Sequence, residues 1–328
     1  MEWWQGSLFY EIFPASFQDS YKNDGIGDFR GITNRLDYIE SLGVRGVRLN
    51  PIFSSKQYPI DYMDVDSLID IDPSLGSITD FDEMIAAIHK RKISLILDLP
   101  LYPFVKDFGD EPVKLNFTDK NVERHDTLSN FPSQRDTVEN MLAAREQPER
   151  VPNLRVFNNV IVNFLDDHEV TKAIKYWRDR GVDGFYLKGL EYYTNETNFG
   201  AALRYWKSLI GPNRILICSE KALNSAEGYS KSAILSRINL VDVRIRVANG
   251  TKSIRSQVSN VLKGELFQKA GYPWIHWSTG SVDSPRLASA LSVANASVAI
   301  AMLGMMLPGT PSIFYGDEVR YLEIFLVY

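Results

Sequence analysis

Four charged residues stand at or just beyond the ends of short apolar runs: Asp98 in Ile-Leu-Asp-Leu-Pro, Lys188 in Gly-Phe-Tyr-Leu-Lys, Glu220 in Ile-Cys-Ser-Glu, and Asp283 after Trp-Ile-His-Trp-Ser. Paired carboxylates suit general-acid and nucleophile work, and a lysine beside a carboxylate suits Schiff-base or acid–base chemistry. The sequence supplies none of the further groups that Schiff-base chemistry needs. An unpaired buried charge is costly, so Lys188, Glu220 and Asp283 are expected to converge as an ion-paired cluster.

Convergence requires elements that carry these residues to one place. Apolar strand-like runs lie at Leu8–Phe13, Val44–Leu49, Ile93–Asp98, Val182–Leu187, Arg214–Glu220, Ile238–Ile245, Trp274–Ser278 and Pro311–Tyr315. Amphipathic helical patterns alternate with them, at Ile32–Ser41, Asp80–Lys90, Val170–Arg180, Phe199–Ile210, Ser253–Lys263 and Leu287–Met306. Ser77 and Asp80 are placed to start one of these helices. Such alternation predicts an α/β fold, a closed (β/α)8 TIM barrel, in which reacting groups sit at the C-terminal strand ends.

The rhythm breaks once. Strands one to three occupy residues 1–100, and residues 101–163 read as a polar excursion from the third βα loop with a helix over Val138–Arg145. Residues 164–328 carry strands four to eight. Leu287 to Leu307 has no charge and enough length to mimic a membrane span, but its Ser and Asn content predicts a buried barrel helix. The barrel stops just past strand eight, which predicts an apolar flank either exposed or covered by Tyr321–Tyr328.

Composition narrows the classes. The 328 residues are 45% hydrophobic and 23% charged, which excludes a disordered or collagen-like chain. A net charge of −5 carries no basic excess for nucleic acid or an anionic membrane surface. The single cysteine, Cys218, excludes an internal disulfide and a thiolate zinc site, and its strand position predicts a core thiol. The first residues lack the charge and apolar run of a signal peptide, so the chain is expected to be soluble as given.

Several segments resemble the α-glucosidase branch of the α-amylase superfamily, glycoside hydrolase family 13. They are Trp3-Trp-Gln-Gly-Ser-Leu-Phe-Tyr-Glu-Ile-Phe-Pro-Ala-Ser-Phe17, Asp24-Gly-Ile-Gly-Asp28, Asp82-Glu-Met-Ile-Ala-Ala-Ile-His89, Arg178-Asp-Arg-Gly-Val-Asp-Gly-Phe185 and Leu307-Pro-Gly-Thr-Pro-Ser-Ile-Phe-Tyr-Gly-Asp-Glu318. The resemblance implies retaining glycoside hydrolysis, with a nucleophile and a general acid about 5 Å apart. It places Lys188 at the nucleophile position and Tyr186 at the family's arginine. Asp98 is kept, but Tyr102-Pro103 stand where an Asn-His pair belongs, and Val282 replaces the histidine before Asp283. Glu220 keeps the acid position. A site degenerate at Asp98, Tyr186, Lys188, Glu220, Val282 and Asp283 implies no enzymatic activity.

This pattern is similar to the glycoprotein heavy chains of heteromeric amino-acid transporters. That likeness implies a non-enzymatic ectodomain at the extracellular face of the plasma membrane, escorting and stabilising a multi-span light chain. The family's membrane anchor, linking cysteine and C-terminal β-sandwich are not in this sequence, so a longer form is expected to supply them. The alternative is an α-glucosidase or sugar-binding relative, with Tyr102, Tyr186, Trp274 and Trp277 available to stack sugars.

Two further features bear on ligands. Asp19, Asp24, Ile26 and Asp28 occupy an oxygen-rich loop of the kind that holds calcium, with Lys22 intruding among them; no other cofactor is expected. A metal-free turn is the competing reading. Asn116, Asn195 and Asn249 are sequons for glycosylation, while a fourth, Asn295, lies in a helical stretch.

Overall fold

The computed structural model describes residues 2–101, 166–196, 198–247, 250–291 and 296–319. The chain divides into two units, one of Met1–Gly109 with Glu169–Tyr328 and one of Asp110–His168. The first holds the barrel. Residues 102–163 of the excursion, its helix over Val138–Arg145, the stacking candidate Tyr102, the sequons at Asn116, Asn249 and Asn295, and Tyr321–Tyr328 lie outside the described residues.

Eight parallel strands close on themselves in sequence order: β1 (Phe9–Ile12), β2 (Gly46–Leu49), β3 (Ser94–Pro100), β4 (Gly184–Lys188), β5 (Ile215–Ser219), β6 (Leu240–Arg244), β7 (Trp274–Ser278) and β8 (Thr310–Phe314). Each coincides with a predicted apolar run, because strands covered on both faces need apolar residues along their length. The lower barrel is filled by Trp4, Phe9, Ile96, Tyr186, Ile215, Ile217 and Leu240, with Trp3 and Trp274 packed beneath. Two strand-starting glycines make room for this filling. A β-carbon on Gly46 would lie 2.7 Å from the Phe9 ring, and one on Gly184 would lie 2.5 Å from Ile215.

The outer helices are α1 (Phe29–Asn34), α2 (Leu36–Ser41), α3 (Ile78–Lys90), α4 (Glu169–Asp179), α5 (Phe199–Ile210), α6 (Glu220–Ser225), α7 (Gly228–Arg237), α8 (Gly250–Lys263), α9 (Glu265–Gln268), α10 (Leu287–Ala290) and α11 (Ala296–Met306). Ser77 and Asp80 form a reciprocal capping box at the start of α3, Ser77 Oγ accepting from Asp80 N–H at 3.2 Å and Asp80 Oδ2 accepting from Ser77 N–H at 2.8 Å. Below α3, His89 Nε2 meets Asp183 Oδ2 at 2.8 Å, and the same carboxylate accepts the Leu95 amide, locking α3 to the barrel floor.

Two expectations about elements are corrected. The predicted Leu287–Met306 helix is two helices, α10 and α11, and α11 is not buried: Val298, Met302, Met305 and Met306 are exposed, with Met306 at 81%. Only Ser297, Ile300 and Gly304 of α11 are buried, so the uncharged sequence reflects a thin inward stripe and an apolar outer face. Glu220 does not close strand five. It opens α6, where Ser219 caps the helix by accepting the Ala222 amide at 3.3 Å. No helix among the described residues is long and apolar enough to cross a membrane.

Candidate functional site at the barrel mouth

Register puts charged side chains into the barrel in adjacent strands. Glu11 on β1 pairs with Arg48 on β2, Asp98 on β3 with Tyr186 on β4, and Asp242 on β6 with His276 on β7. All six are buried. Arg48 lies at their centre. It donates to Asp98 through Nε at 2.6 Å and a terminal nitrogen at 2.9 Å, and to Glu11 at 3.1 Å. Its guanidinium also lies 3.6 Å from the centroid of the Tyr186 ring. Asn50 Nδ2 donates to both Glu11, at 3.0 Å, and Asp98, at 3.1 Å.

Across the barrel, Asp242 accepts from Tyr186 Oη at 3.0 Å and from Ser278 Oγ at 2.6 Å. Burial would raise its carboxyl, but His276, Arg48 and Arg244 beside it and the Ser278 hydrogen bond hold it below the ordinary carboxylate range. Burial pushes His276 down to about 4, so its imidazole is neutral at pH 7. Burial also pushes Glu11 up against the opposing pull of Arg48, and it pushes the Tyr186 phenol up, keeping it protonated.

Above this layer sits Lys188, whose ammonium is 3.1 Å from Asp283 Oδ2. Tyr62, from the loop after β2, donates to Asp283 Oδ1, accepts from Lys188 Nζ at 3.2 Å and lies with its ring 4.9 Å below that ammonium. Burial opposes ionisation of Asp283, yet the Lys188 charge and the Tyr62 hydrogen bond hold its carboxyl low. The expected three-residue cluster is therefore a pair. Glu220 opens α6 and forms no ion pair among the described residues. Val282 is half-buried beside Asp283.

The mouth opens into a cavity of about 640 Å³, lined by Glu11, Lys188, Glu220, Asp242, Arg244 and Trp277 among others. The aromatic stacking candidates serve the framework. Tyr186 is sandwiched between Arg48 and Asp242, Trp277 Nε1 donates to the Pro308 carbonyl at 2.9 Å, and Trp274 Nε1 to Thr310 Oγ1 at 3.0 Å. Cys218 is fully buried, and burial pushes its thiol up, leaving it unreactive.

The oxygen-rich loop closes on its own amides. Asp28 accepts from Ser20, Tyr21 and Gly31 at 2.7 to 2.8 Å, Asp19 from Asn23 and Gly25, and Asp24 from Ile26. Lys22 Nζ donates to the Pro73 carbonyl at 2.7 Å. Among the described residues no group of three or more His, Cys, Asp or Glu side chains is placed to hold a metal ion. Asn195 is exposed on a turn, an accessible position for a glycan.

Sequence reasoning missed Glu11, Arg48 and Tyr62. A charge inside an apolar run is the signal for the first two, since such a residue must meet a partner across the barrel. Tyr62 lies on a loop with no periodicity to mark it.

Residues 11–101 match the α-amylase catalytic domain. The chain is 30% identical to Maltase A2 of Drosophila melanogaster over 60% of its length and 37% of the maltase. It is 25% identical to the human amino acid transporter heavy chain SLC3A1, over 97% of its own length and 54% of that protein. Among solved structures, an inactive double mutant of MutB in complex with isomaltulose superposes with a TM-score of 0.66 at 18% identity, covering 99% of this chain and 68% of the other. The chain thus has the α-amylase barrel fold and spans about half the length of the heavy chain it matches.

These matches correct one expectation. Relatives named maltases and α-glucosidases stand beside the heavy chains at similar identity. Degeneracy at Lys188 therefore does not show an inactive chain, and the expectation of no enzymatic activity is withdrawn.

Proposed function

We propose that this α-amylase-fold chain serves as the barrel of an amino-acid transporter heavy chain, stabilising a multi-span light chain at the extracellular face of the plasma membrane. The observation that carries this reading is the Lys188–Asp283 pair. Where a retaining glycosidase presents its nucleophile, this mouth presents a cation already bound to its own carboxylate. Similarity to the human heavy chain over 97% of the chain supports the assignment. Depletion of the protein in its own cells tests it: light-chain abundance at the surface and amino-acid uptake should fall together. Unchanged surface abundance and uptake would remove the proposal.

A second reading is an α-glucoside-directed barrel. It is favoured by Glu220, which lines the cavity without an ion-pair partner among the described residues, and by similarity to the maltases. Turnover of an aryl α-glucoside that disappears in Glu220→Gln would establish it. Absence of both turnover and saturable maltose binding would dismiss it.

A further inference from the structure

The charges lining the mouth fall into two groups. Arg48 is satisfied by Glu11 and Asp98, Asp242 by Tyr186 and Ser278, and Lys188 by Asp283 and Tyr62. Arg244, whose charge bears on Asp242 and Asp283 without forming an ion pair, and Glu220 are left over, while Glu191 and the exposed Lys221 and Arg246 also line the cavity without an ion pair among the described residues. Arg244, at the end of β6, is only partly exposed; its Nε is buried with no hydrogen-bond partner, and its guanidinium has no ion pair among the described residues. Glu220, in the first turn of α6, lines the same cavity and likewise has no ion pair among the described residues. Glu191 beside it accepts only a long bond from Ser219 Oγ, at 3.3 Å. Ile245, Val261 and Trp277 add an apolar wall.

A buried donor without a partner costs on the order of 1–3 kcal/mol, more when charged, so a ligand that supplies the partner regains it. A guanidinium presents a planar fork that matches a carboxylate. An unpaired carboxylate in the same cavity opposes a simple anion and matches a ligand ammonium instead. The geometry points to a small zwitterion with an apolar side chain, a neutral α-amino acid, binding in the mouth with its carboxylate on Arg244 and its ammonium on Glu220. This site stands independently of the light-chain proposal, since it uses only the interior of the barrel.

Calorimetric titration of the whole chain with four probes tests it: L-leucine, N-acetyl-L-leucine, L-leucinamide and glucose. L-leucine should bind saturably, and each singly charged analogue should bind about tenfold or more weakly, the equivalent of one lost charged contact. Arg244→Gln should abolish leucine binding, and Glu220→Gln should reduce it to the level of the acetylated analogue. No saturable leucine binding would overturn the proposal. So would equal affinity for N-acetyl-L-leucine, which means an anion site only, or leucine binding retained in a folded Arg244→Gln. If that variant does not fold, the four-probe comparison on the unaltered chain decides alone. Glucose displacing leucine at similar concentration would count against the zwitterion and for the sugar-directed reading.

Discussion

Arg48 on β2 grips Asp98 on β3 with two hydrogen bonds, at 2.6 and 2.9 Å, while both side chains are essentially inaccessible to water. Breaking a buried pair by removing one partner leaves the other charge stranded. Arg48→Met should therefore cost about 3–5 kcal/mol. Denaturant unfolding of the variant checks this, and a loss below about 1 kcal/mol would mean that the network is not what holds the barrel centre.

The Lys188–Asp283 pair is a different case, because Asp283 is 48% exposed and screened by water. A double-mutant cycle with Lys188→Met and Asp283→Asn should give a coupling of only about 0.2–1 kcal/mol. A coupling of several kcal/mol would place the pair in a drier environment than its exposure indicates.

Acid stability should show two opposing contributions in one window. Burial lowers His276 from 6.5 to about 4, so on falling pH the unfolded chain takes up a proton that the native chain refuses, and stability is lost. Burial raises Asp317 from 3.8 to about 6, so over nearly the same range the native chain takes up a proton first, and stability is gained. Each amounts to about 3 kcal/mol at most, at 1.36 kcal/mol per unit. His276→Asn should make the chain gain stability, relative to its own value at pH 7, as pH falls from 6 to 4. Asp317→Asn should make it lose stability over the same interval. Parallel pH profiles for both variants and the parent would contradict the assignment.

Glu220 makes no ion pair among the described residues, so Glu220→Gln should change stability by less than about 0.5 kcal/mol. Thermal unfolding of the variant is the check. A larger loss would show that Glu220 is structural, and effects of this substitution on ligand binding would then need the Arg244 variant to interpret.

Strand positions were legible because buried parallel strands write themselves as short apolar runs between turns, and all eight were found within a few residues. Asp98, Lys188 and Asp283 were legible for the same reason, as polar ends to those runs. What stayed hidden depends on where neighbouring strands align. Nothing local to Glu11 or Arg48 says that they meet, because their contact is set by the β1–β2 register. Glu220 was assigned to a strand because Ile-Cys-Ser-Glu continues an apolar run, while the Ser219 cap that turns it into a helix is a single hydrogen bond. The exposed methionines of α11 misled for a related reason. An uncharged helix looks buried in sequence whichever of its faces meets the core.

We propose that the barrel works by holding a membrane light chain. The most direct test is co-purification from cells that express the full gene product with a multi-span amino-acid transporter light chain, after solubilisation in mild detergent. The complex should survive Lys188→Met and Glu220→Gln, since neither residue lies on the outer surface of the barrel. Failure to recover any light chain with the intact protein would contradict it.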